Sequence, residues 1–145
     1  MSDQLDELHA QAALSLLGTA LGAVVPPIPV YDGAVPNPTP APPYVLVYAS
    51  IGRPYGTSGL GNTLVSTSPT IAARFKCKCV GLSPAAARAV GMQVRSALLD
   101  QRPTIAGRNC GPIHEDNDPG PPDRDESLGQ VLMVQDLDYV FYSTG

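Results

Sequence analysis

The stretch from Ile71 to Leu99, IAARFKCKCVGLSPAAARAVGMQVRSALL, restricts the folds open to this chain more than any other. Its first part alternates. Ile71, Ala73, Phe75, Cys77 and Cys79 fall on one side of an extended strand, and Ala72, Arg74, Lys76, Lys78 and Val80 on the other, because successive strand side chains point to opposite faces. One face is apolar and the other carries three cations. Val80-Gly81-Leu82 predicts a turn, and Ser83-Pro84 predicts a helix start. The serine hydroxyl accepts from a free N–H of the first turn, and proline at the first helical position forfeits no needed donor. Ala87, Val90, Gly91, Val94, Ala97 and Leu98 then recur at helical spacing, with Arg88, Gln93, Arg95 and Asp100 mostly off that stripe. A half-buried strand feeding an amphipathic helix is half of a small α+β domain.

The flanking sequence predicts what completes it. Ser2 to about Leu17 reads as a first helix, with Leu5, Leu8, Ala12, Ala13, Leu16 and Leu17 on one stripe. Ser2 or Asp3 caps its start, and Asp6 and Glu7 suit the first turn. Gly18 and Gly22 weaken continuation and Pro26-Pro27 ends it. His9 lies beside the stripe, as a partly exposed side chain. Ile28 to Gly33 predicts a short strand closed by an Asp-Gly turn. Val35 to Pro43 is barred from a sheet interior because proline lacks the donor, and reads as a rigid connector in preference to a docking strip. Tyr44 to Ser50 is continuously apolar, as in a central strand covered on both faces.

Ile51 to Asn62 is a glycine-rich loop and Thr63 to Thr67 opens a further strand, so that Arg53 to Pro69 predicts a long hairpin arm. After the second helix, Arg102 to Arg108 allows one short strand and Asn109 to Gly129 a long polar loop. That loop holds Glu115, Asp116, Asp118, Asp123, Asp125 and Glu126. Val131 to Val134 follows, and Leu137 to Thr144 makes a last strand. The expected architecture is one domain over residues 1–145: an α+β fold with a mixed or antiparallel sheet of about four to five strands. Two helices pack on one face, and a hairpin arm and long loops project.

Composition narrows the function. A chain of 145 residues suffices for one domain with a real core. Its 15% charged residues are fewer than usual, which fits either a compact monomer or a subunit partly covered by neighbours. A net charge of −4 argues against a dedicated nucleic-acid binder, though not against a protein that DNA passes. Three cysteines imply no closed disulfide framework, so a reducing compartment is the simpler expectation. Asp3, Asp6 and Glu7 stand where an export signal would be basic. The apolar run from Ala12 to Val25 is shorter than the roughly 20 residues that span a bilayer. The expectation is a soluble protein made in the cytoplasm.

No constellation points to catalysis or to a cofactor. Cys77-x-Cys79 with Cys110 and His114 offers zinc-type ligands, but structural zinc sites use a C-x2-4-C knuckle whose sulfurs converge. On the apolar face of a strand, cysteine behaves as a small buried hydrophobe. Asp116-Asn117-Asp118 lacks the glycine and later bidentate glutamate of a calcium loop. Gly59-Leu60-Gly61 has Leu64 where a dinucleotide fingerprint needs glycine. With His9 and His114 the only histidines, and no G-x-S-x-G elbow, a hydrolase site is not expected. The basic row Arg74, Lys76 and Lys78 and the acidic 114–126 loop are two solvated surfaces, or complementary patches between neighbouring copies.

The order of features resembles tail terminator (tail completion) proteins of long-tailed, siphovirus-type actinobacterial phages. The likeness lies in the N-terminal helix, VYDGAVPNPTPAPPYVLVY, the strand ending in C-V-G-L-S, the helix containing V-R-S-A-L-L, and the closing aromatic strand. It runs from Leu5 to Thr144 and is strongest in Tyr31–Tyr48 and Phe75–Leu99. The acidic loop after Gly111 is longer than the family leads one to expect.

The resemblance implies a non-enzymatic virion protein that forms a homohexameric ring at the head-proximal end of the tail tube. The ring stops tube polymerisation at the length set by the tape measure protein and joins the tail to the neck. Its implied partners are further copies of itself, the tail tube protein, a neck or head-completion protein and, as a further candidate, the tape measure protein. Genome DNA passes through the lumen without specific binding, and neither a membrane nor a cofactor is involved. Cyclic closure makes each contact heterologous. The interaction residues expected are Arg53, Tyr55 and Leu60 on the arm, Arg74, Lys76 and Lys78 on the strand, and Glu115, Asp116, Asp118, Asp123 and Asp125 on the acidic loop. Acidic side chains lining the lumen would repel phosphates. Competing readings are another head–tail connector, such as a stopper or head-completion protein, and a small ligand-binding or enzymatic domain.

Overall fold

A computed structural model describes residues 2–50, 53–55, 70–127 and 129–145, with residues 2–6 and 53–55 as backbone. Helix α1 (Ser2–Gly22) leads to β1 (Val30–Asp32), β2 (Tyr44–Ala49), β3 (Arg53–Tyr55) and β4 (Thr70–Gly81). Helix α2 (Pro84–Leu98) follows, then β5 (Asn109–Cys110), β6 (His114–Glu115), β7 (Asp123–Asp125) and β8 (Leu132–Thr144). The strands form one sheet in the order β1-β2-β4-β8-β5, with β3 also beside β4 and β6 and β7 also beside β8. Only β1–β2 is parallel among these pairs. The fold is α+β with a mixed sheet and two helices, as the pattern predicts.

The odd-numbered residues of β4 decide where the core sits. Ala73, Phe75, Cys77 and Cys79 join Val45 and Val47 of β2 and Leu137, Tyr139 and Phe141 of β8. Both helices cover that face, α2 through Val90, Val94 and Leu98 and α1 through Ala13, Leu17 and Leu21. The Ser83 hydroxyl accepts from the Ala86 N–H at 3.1 Å and Pro84 opens α2, as expected. At Gly81 a Cβ would lie 2.7 Å from the Ala87 nitrogen, so only glycine lets the strand turn this closely into the helix. A smaller cluster of Tyr44, Leu46, Val80, Leu132 and Val134 lies on the opposite face, under Tyr31 and Val35.

Several expectations are corrected. Helix α1 runs to Gly22, not Leu17. A mid-helix glycine costs about 1 kcal/mol, less than the roughly 1.5–3 kcal/mol from burying a leucine, and Leu21 is buried. The extension also recentres the stripe on His9, Ala13, Leu17 and Leu21, so His9 is buried and Leu8 is exposed. Residues 102–108 form no strand. Pro103 lacks a donor, and the main chain of Asp100 and Gln101 bonds instead to Ile113 (3.0 and 2.8 Å).

The segment from Asn109 to Gly129 is not one loop. Its three short strands β5, β6 and β7 pair in turn along β8, which satisfies main-chain groups that a 13-residue strand would otherwise leave open. The chain closes with one continuous strand where two segments were expected. Of the hairpin arm, β3 pairs antiparallel with the start of β4, Arg53 opposite Ala72 and Tyr55 opposite Thr70. The expected strand Thr63–Thr67 lies outside the described residues. No helix among the described residues is long and apolar enough to cross a membrane.

Candidate interaction surface

The even-numbered residues of β4 place Arg74, Lys76 and Lys78 in a row on the face away from the helices. Antiparallel register sets Lys76 opposite Asp138 and Lys78 opposite Asp136, and the ammonium groups reach those carboxylates at 4.0 and 3.5 Å. Arg74 lies opposite Val140, which has no charge to offer. Its Nε donates instead to Asp116 Oδ2 at 3.2 Å, just beyond β6. All three pairs are part-exposed, so each contributes on the order of 0–1 kcal/mol.

The acidic segment is held along β8 by its main chain and its side chains. Glu115 and Asp116 are consecutive and so project to opposite sides of the sheet. Glu115 Oε1 accepts from Arg95 Nε of α2 at 2.7 Å, while Asp116 meets Arg74. The Asp116 N–H donates to the Asp138 carbonyl (2.9 Å), and Gln135 Nε2 donates to the Gly120 carbonyl (2.6 Å). Hydrogen bonds from the Ser127 hydroxyl and N–H, followed by the nearby Lys78 charge, hold the Asp125 carboxyl below the usual carboxylate range. Asp118 and Asp123 are exposed.

The structure thus brings the basic row and part of the acidic segment together within one chain. The sequence offers complementarity between copies as one reading, and each cation of the row already has a carboxylate of its own molecule. Arg53 and Tyr55 stand on β3 beside the first residues of β4. Leu60 lies outside the described residues.

The zinc-type ligands that the sequence offers do not gather. Cys77 and Cys79 are buried on the helix side, Cys110 is part-buried, and His114 is exposed and stacked on Tyr142 at 5.8 Å. Burial pushes the Cys79 thiol up to about 12 and raises Cys77 well above its ordinary value. Among the described residues no group of three or more His, Cys, Asp or Glu side chains is placed to hold a metal ion.

One polar cluster escapes the sequence reading. His9 Nε2 lies 2.6 Å from Ser143 Oγ, and its ring stacks on Phe141. Arg108 Nε donates to the same hydroxyl and Nη2 to the Ser143 carbonyl, each at 3.0 Å. A serine hydroxyl beside an imidazole is the chemistry of a nucleophile and its base. Here His9 is 2% and Ser143 0% exposed, so no substrate reaches them and the cluster ties α1 to the end of β8. The only sequence signal was the helical line through residues 9, 13, 17 and 21.

No family model matches the chain, and comparison with curated protein sequences gives no significant match. Solved structures do share its fold. A chain of the virion of a native gene transfer agent (GTA) particle is 20% identical, with a TM-score of 0.55 over 92% of this chain and 84% of that one. A second solved protein is 16% identical, with a TM-score of 0.64 over 96% of this chain and 94% of its own. At such identities the likeness is one of fold.

Proposed function

We propose that the chain is a structural subunit of a phage-type virion, and that within the virion it is the tail terminator. The observation that carries the coarser reading is the fold shared, across nearly the whole chain, with a chain of a gene transfer agent virion. The sequence resemblance supports the finer one. The subunit forms a homohexameric ring on the head-proximal end of the tail tube. One face of the ring copies the surface that tube subunits bind, and the other refuses a further tube ring and meets the neck. The role is architectural, and DNA passes through the lumen without being held.

The test is electron microscopy of lysates from cells infected with phage lacking this gene. The expected result is overlong tail tubes beside unjoined, DNA-filled heads. Tubes of normal length that fail to attach would replace the terminator with another connector of the neck, and intact infectious particles would end the virion reading altogether.

A further inference from the structure

Arg88 differs from the other Lys and Arg side chains that the structure describes, all of which are engaged. Five of them form ion pairs, and Arg102 and Arg108 donate to the carbonyls of Cys110 and Ser143. Arg88 makes no hydrogen bond or ion pair among the described residues, in a chain that carries 13 Asp and Glu. Nor does it simply extend into open water. It lines a cleft of ≈ 220 Å³ between α2 and the Pro119-Gly120 segment.

The cleft is built on both sides. On α2, Gly91 keeps it open, since a Cβ there would lie 3.3 Å from Gln135 Cγ; a mid-helix glycine costs about 1 kcal/mol relative to alanine. The opposite wall is pinned, because Gln135 Nε2 donates to the Gly120 carbonyl at 2.6 Å. Arg95 is the second cation on the lining. Its Nε donates to Glu115 Oε1 at 2.7 Å, an end-on contact that leaves the other guanidinium donors to bond elsewhere. Among the described residues, no carboxylate lines the cleft.

Size, spacing and charge select the ligand. Free small molecules occupy pockets of about 300–1,000 Å³, so this cleft suits side chains that protrude from a larger partner. Arg88 and Arg95 are two helical turns apart, roughly 10 Å along α2 and nearly in line. Met92 lies between them on the same cleft and is 67% exposed. Guanidinium groups take carboxylate oxygens, which they grip with paired N–H donors. A nucleic acid is a long polyanion that a chain of net charge −4 repels, whereas a short acidic motif need meet only the two arginines.

We propose that this cleft docks an acidic segment of a partner protein, which sets one carboxylate on Arg88, a second on Arg95 and an apolar side chain on Met92. A helix with two glutamates seven residues apart and a leucine between them has that spacing. Within the virion reading the partner is another protein of the particle, but the cleft does not depend on that reading.

Heteronuclear NMR titration of the full chain tests it, with an alanine–glutamine helical peptide that bears this glutamate, leucine and glutamate pattern. The expected result is saturable shifts at the amides of Gly91, Met92 and Gly120, weakened by added salt. The same peptide with glutamine in place of both glutamates is expected not to bind. Arg88→Gln removes no hydrogen bond or ion pair of the fold, so it is expected to leave the melting temperature unchanged while weakening binding by about tenfold or more. Lys76→Gln, on the far side of the sheet, is expected to bind as wild type does. Equal binding by wild type and Arg88→Gln would overturn the inference, as would shifts centred on the Arg74–Lys78 face or no saturable shift at all. A single-stranded oligonucleotide that shifts the same amides at lower concentration would replace the acidic protein with phosphates. Each of these failures leaves the virion reading standing, since the lysate microscopy tests that separately.

Discussion

The two faces of the central sheet are made by the same three long strands and answer to different physics. On the helix side, Val45, Val47, Cys77, Cys79, Tyr139 and Phe141 are all at or below 1% exposed. One residue further along each strand, Lys76, Lys78, Asp136 and Asp138 stand half in water. The first face supplies the binding energy of the fold, since each large apolar side chain contributes roughly 1.5–3 kcal/mol. The second supplies little energy and much specificity. A one-residue slip of β8 against β4 would carry Asp136 and Asp138 under the helices and turn Tyr139 outward, so the cross-strand ion pairs fix the register.

Substitutions sharpen this contrast in a graded series. Phe141→Ala, which empties a fully buried site next to Phe75 and His9, is expected to cost about 3–5 kcal/mol in urea unfolding. Ser143→Ala removes the hydroxyl that accepts from Arg108 Nε and meets His9 Nε2; its expected cost is about 1–3 kcal/mol. Lys76→Ala on the far face should cost no more than about 1 kcal/mol, and added salt should shrink even that. Equal losses for Phe141→Ala and Lys76→Ala would break the comparison.

The cysteines probe it chemically. In the native protein a thiol reagent should react with part-buried Cys110 and reach Cys77 and Cys79 only after unfolding. For Cys79 the thiol is pushed from an ordinary 9.0 up to about 12 in the folded state. Above about pH 9 the unfolded chain therefore sheds protons that the folded one keeps, and stability should fall as pH climbs toward 12. A flat stability curve over that window would show that the thiols titrate freely.

What could be read from the sequence follows the same division. Strand β4 and helix α2 were legible because alternation, a serine cap and a helical stripe all agree between Ile71 and Leu99. The far end of α1 was not, because glycine's propensity is local while the burial of Leu21 is tertiary. The same shift hid His9. The acidic segment read as loop because β5 and β6 are only two residues each and β7 three, too short to show a period. The basic row was placed on the correct face, but its partners Asp116, Asp136 and Asp138 come from distant sequence. The register that joins them is set only when β8 folds against β4.

The lacing of β8 by three short strands has a further consequence. A long strand with a bare margin acts as a template on which other chains can build, whether as fibres or as domain-swapped aggregates. Here His114–Glu115 and Asp123–Asp125 occupy much of that margin from within the chain. The fold thereby carries its own guard against uncontrolled sheet growth along β8.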